Sequence, residues 1–76
     1  MINRKYLRRL TRKNWKTVDQ KVQEILEACE ERASNGFSTY MPSLGDMNPL
    51  DHKNVWLKLV SDYDLSREGI MMVSWY

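Results

Sequence analysis

One apolar stripe constrains this chain more than any other feature. Val18, Val22, Ile25, Leu26, Cys29 and Ala33 are spaced to fall on one side of an α-helix, and Trp15 extends the row backwards. Asp19, Lys21, Glu24, Glu27, Glu30, Glu31 and Arg32 lie between them and read as the solvated opposite face. Asn35-Gly36 supplies the stop, since Gly36 is free to take the left-handed conformation at a helix C-terminus. Two starts are open. Thr11 would cap a helix of roughly 23 residues, about 34 Å long, whereas Thr17-Val-Asp-Gln20 matches a capping box and starts it later. Trp15 in register favours the longer helix, although Arg12, Lys13 and Lys16 would oppose the dipole at its N-terminus.

The pattern changes after Gly36. Phe37, Thr39 and Met41 alternate with Ser38 and Tyr40, a short strand ended by Pro42. Gly45-Asp-Met-Asn-Pro49 reads as a turn, and Asn48-Pro49 has the cap-then-proline order that opens a helix. Val55, Trp56, Leu59, Val60 and Tyr63 then form a second stripe, predicting a helix over about 49–62. The remainder fits a hairpin: a strand at 63–66, Arg67-Glu68-Gly69 as the loop, and a strand at 70–75. That last strand is apolar on both faces, as a central or subunit-covered strand would be. The expected fold is α+β in α-β-α-β-β order, with two main helices packed on a small three-stranded sheet. A separate short helix at residues 3–10, with Tyr6, Leu7 and Leu10 facing inward, would precede it as a basic N-terminal arm. A single domain over 1–76 accommodates all of this, divided into a basic arm (1–16) and an acidic body (17–76).

That division comes from the charges. The net charge is only +2, yet Arg4, Lys5, Arg8, Arg9, Arg12, Lys13 and Lys16 stand in a stretch with no acid at all. From Thr17 onward, five basic residues face ten acidic ones. The basic positions recur every four residues, which groups them along one side of a helical arm. Such asymmetry marks an interaction tail. With 76 residues, neither disulfide nor evident metal, and a correspondingly small core, the chain is also expected to gain from self-association or from a partner.

The residues offer little for catalysis. Cys29 sits in the apolar stripe, where a thiol is a small inert hydrophobe. His52, between Asp51 and Lys53, reads as a surface histidine. Asp46, Asp51, His52, Asp62 and Asp64 show no metal-ligand spacing, and Glu24, Glu27, Glu30 and Glu31 fall on an exposed helical face. Gly36, Gly45 and Gly69 stand singly and build no phosphate loop. The expectation is a non-enzyme without cofactor or metal. One cysteine, no apolar membrane span and no signal-peptide pattern suit a cytoplasmic protein with no membrane partner. Trp15 and Trp56 are assigned to the core, while Trp75 is open between core and surface.

Leu10-Thr11, Ala33-Ser-Asn-Gly36, Leu59-Val-Ser-Asp-Tyr63 and Val73-Ser-Trp75 punctuate the chain in a way that resembles small accessory proteins of tailed bacteriophages. The resemblance implies a non-enzymatic product made in the host cytoplasm that binds a host protein, such as a defence component, and inhibits or redirects it. The leading expectation is accordingly a protein-binding module, oligomeric with itself, working through Arg4, Lys5, Arg8, Arg9, Arg12, Lys13, Lys16, Trp75 and Tyr76. Two alternatives use the same cations: accessory nucleic-acid binding by the arm, and oligomeric capture of an anionic nucleotide.

Overall fold

The computed structural model describes residues 2–75, so Tyr76 lies outside the described residues. The chain forms α1 (Arg4–Lys13), α2 (Val18–Ser34), β1 (Thr39–Tyr40), a 3₁₀ turn at Pro49–Asp51, α3 (His52–Ser61), β2 (Ser66–Glu68) and β3 (Met72–Ser74). This is the α+β architecture expected, with a three-stranded antiparallel sheet. Its order is β1-β3-β2, which makes the last strand the central one. Thr39 pairs with Ser74 and Tyr40 with Val73 on one side, Arg67 with Val73 and Glu68 with Met72 on the other.

The long first helix is not formed; the chain breaks between Lys13 and Val18. Asn14 closes α1, its backbone N–H and its Nδ2 both donating to the Leu10 carbonyl oxygen. At the other side Thr17 caps α2 through the reciprocal box: Gln20 N–H donates to Thr17 Oγ1 (3.2 Å) and Thr17 N–H to Gln20 Oε1 (2.9 Å). Between the two helices Lys16 N–H donates to the Asp46 carbonyl oxygen at 3.0 Å, and Lys16 bridges Met47 in parallel. The local cap therefore outcompetes the extra turns that Trp15 suggested, because a helix through 14–17 would forfeit these bonds.

Val22, Ile25 and Cys29 of α2 meet Val55, Trp56 and Leu59 of α3 and Val73 of β3 in one core. Leu44 and Met47, from the segment read as a plain turn, complete it at 4% and 1% exposure. Asn48 caps the 3₁₀ turn by accepting from Leu50 N–H, and Pro49 occupies its first position, so the opening of α3 follows the sequence. Gly69, at φ +62°, makes the hairpin turn. The hairpin is shifted from expectation: β2 begins at Ser66 and takes in Arg67 and Glu68, read as loop, because both pair with β3 (Val73 and Met72), so the turn falls on residues 69–71 and β3 starts at Met72.

Several stripe positions differ from expectation. Ala33, Val60 and Tyr63 are exposed, Trp15 is half-buried rather than core, and Trp75 packs partly buried against the core edge. Tyr6, Leu7 and Leu10 do not face inward: α1 buries none of its residues. It takes no part in the main packing of α2, α3 and the sheet. The molecule is long as a result, 48 × 24 × 21 Å, with a radius of gyration of 14.3 Å, whereas a compact chain of this length would have about 11 Å.

Candidate functional site

Three surface features carry chemistry: α1, an ion cluster at its root, and a groove on the far flank of α3. On α1, successive side chains turn by about 100°. Arg4, Lys5, Arg8, Arg9, Arg12 and Lys13 thus occupy one half of the cylinder, and Tyr6, Leu7, Leu10 and Thr11 the other. Asn3 caps this helix, its Oδ1 accepting from Tyr6 N–H at 2.9 Å. None of the six cations forms an ion pair among the described residues. An open cleft of about 600 Å³ runs beside α1, with Ile2, Leu7, Thr11 and the stems of Arg4, Arg8 and Arg12 on its wall and Trp15 and Pro49 on the body side.

Lys16, the seventh expected arm residue, belongs to the body. Its Nζ lies 2.8 Å from Glu24 and 3.2 Å from Asp46. The same two carboxylates hold Lys21 Nζ, at 3.1 and 2.6 Å, and Ser43 supplies a carbonyl oxygen at 3.1 Å. Lys21 is only 2% exposed, so its assignment to the solvated face is corrected. It projects from the edge of the buried arc of α2, one position before Val22 and four before Ile25, and a buried ammonium needs partners of this kind. Hydrogen bonds from Lys16 and Lys21 hold the Glu24 carboxyl below the usual range. Lys21 foremost does the same for Asp46. Moving Lys16 across leaves the division in place: after Lys13, six basic residues remain against ten acidic, so a +6 helix stands on a −4 body.

The groove lies between α3 and the β2–β3 turn and encloses about 740 Å³. Leu57, Val60, Ile70 and Met71 line it with 41–81% of their surface uncovered, over the buried Trp56. Arg67 builds its end wall. The guanidinium stacks on Trp56 at 4.5 Å and donates twice to the Ile70 carbonyl oxygen, at 3.1 and 2.7 Å. Lys53 stands on the rim. His52 is not a free surface histidine; its Nε2–H donates to the Leu44 carbonyl oxygen at 2.8 Å and fixes the tautomer.

Trp75 is not brought together with α1. It lies beside Leu26, Cys29 and Ala33, towards the C-terminal end of α2, while α1 joins the body at the N-terminal end. Burial raises the pKa of the Cys29 thiol, which weakens it as a nucleophile. No group of three or more potential metal ligands occurs among the described residues.

The groove was missed by sequence reasoning, although a signal existed. Leu57 falls outside the Val55–Trp56–Leu59 stripe, and Ile70-Met71 follows directly on a turn glycine where polar residues are usual. Comparison with known proteins adds no relative: no family model matches the chain, and no curated protein or solved structure matches it.

Proposed function

We propose that this protein is a non-enzymatic interaction module that holds a partner protein in the groove between α3 and the β2–β3 turn. The observation that carries this reading is the groove itself: four apolar side chains left in solvent over a tryptophan floor, on a body whose core closes without them. Uncovered apolar side chains gathered in one concave place mark an interaction surface. Arg67 pre-forms the wall, so little ordering is required when the partner arrives. Lys53 and Arg67 at the edge suit a partner that presents an apolar helix face flanked by carboxylates. The resemblance to phage accessory proteins supplies a setting for such a module, in which occupying a host protein's surface inhibits or redirects it.

Affinity capture from nuclease-treated bacterial lysate tests the reading. Ile70 is 81% exposed, so Ile70→Asp leaves the fold intact and places a charge in the groove. The wild-type chain is expected to retain a protein that Ile70→Asp and Leu57→Asp both release. The same proteins retained by all three chains would remove the groove from the function.

A further inference from the structure

The groove leaves α1 without a role, and α1 has a surface of its own. We propose that α1 is a peripheral membrane anchor that lies on anionic lipid surfaces, its apolar half in the acyl boundary and its cationic half among the headgroups. Two observations converge on this occupant. The first is the division of the helix into an acid-free cationic half and an opposed half carrying Tyr6, Leu7 and Leu10, with Ile2 just ahead of it; these four are 43–76% exposed. A helix of this kind lies in the plane of a membrane interface. The absence among the described residues of a helix able to cross a membrane does not bear on such binding.

The second observation is placement. α1 takes no part in the main packing of the body in a molecule 48 Å long, and an open cleft separates Ile2 and Leu7 from Trp15 and Pro49. Charge screening over about 8 Å at physiological ionic strength separates most of the acidic body from the surface that attracts the arm. Each basic residue near an anionic leaflet contributes about 1 kcal/mol, and here six are gathered on ten residues. A duplex or single-stranded nucleic acid would use the cations equally well, but would leave the leucines in water. The apolar half is what favours the bilayer.

The experiment is co-sedimentation of the intact protein with phosphatidylcholine vesicles, with and without phosphatidylglycerol, and in parallel a gel-shift with mixed-sequence duplex DNA. Binding is expected only to the vesicles that contain phosphatidylglycerol, and to weaken as salt rises. Leu7→Ser with Leu10→Ser, both solvent-exposed positions, is expected to lower vesicle affinity at least about tenfold while the helical circular dichroism of the body persists. Arg8→Gln with Arg9→Gln is expected to lower it about thirtyfold, the equivalent of about 1 kcal/mol per charge removed. Ile70→Asp is expected to leave vesicle binding unchanged, which keeps the anchor and the groove separately testable. Failure to bind phosphatidylglycerol vesicles overturns the proposal. So does vesicle binding that survives the two serines, and so does tight DNA binding that the serines leave intact.

Discussion

Two sets of cations on this chain do opposite work. Lys16 and Lys21 are locked against Glu24 and Asp46, and Lys21 is almost wholly removed from water. Three residues before Lys16, α1 ends, and its six cations meet no carboxylate among the described residues. The residue types are the same; the difference lies in what the fold brings opposite them. Charges at the root of the arm are spent on structure, and those along it are left for contact. Substitutions in the body should therefore change stability, and substitutions in α1 should change binding alone.

The sharpest attempt to break this comparison is in the core. Leu59 of α3 is fully buried in the core shared with α2 and the sheet, and Leu59→Ala is expected to cost about 3 kcal/mol in urea unfolding. A loss below about 1 kcal/mol would mean that the body does not depend on this core. Asp46→Ala comes next, at about 2 kcal/mol: it strips Lys21 of its shortest ion pair while the ammonium stays buried. Lys21→Met removes the charge and keeps the bulk, and is expected to cost clearly less. If the methionine variant proves the weaker of the two, the ammonium is needed for its attraction to the carboxylates and not merely tolerated.

The same cluster sets the response to acid. Glu24 and Asp46 have their pKa values lowered on folding, so their contribution is complete above the ordinary carboxylate range. It is lost as pH falls through the lowered values. Urea midpoints measured from neutral to acid pH should thus decline for the wild type and flatten in Asp46→Asn. A decline of equal steepness in both chains would locate the acid sensitivity elsewhere.

Smaller effects complete the series. Thr17→Ala removes the side-chain half of the α2 cap and is expected to cost about 1 kcal/mol. Leu7→Ser with Leu10→Ser should change unfolding by less than about 0.5 kcal/mol, since neither side chain is buried. A larger loss would show that α1 leans on the body in solution.

Legibility in the sequence followed the range of the interactions. Elements fixed by neighbours a few residues apart were readable: the Asn48-Pro49 opening, the turn at Gly69 and the stop at Gly36, which sits at φ +88°. The Thr17 box was visible too, but Trp15 pulled the expected start the wrong way, because a periodic aromatic carries no information about the Lys16–Asp46 backbone bond. Lys21 looked like surface because its partner Asp46 stands twenty-five positions away. Leu44 and Met47 looked like loop residues for the same reason, since only the closed fold brings them against α2 and α3. Of the candidate surfaces, the basic face of α1 was legible from its four-residue period. The groove was not, being assembled from α3 and a turn that only the fold brings together.

Lys16 is also a mechanical element. A helix about 15 Å long springs from the body at a residue held by one backbone bond to Asp46 and two ion pairs. Such a joint works as a pivot with a long lever: a tilt of about ten degrees at Lys16 sweeps Asn3 through about the length of a hydrogen bond. Glu24 and Asp46 each grip both this pivot and the buried Lys21, so the aim of the arm and the seating of Lys21 share the same two carboxylates.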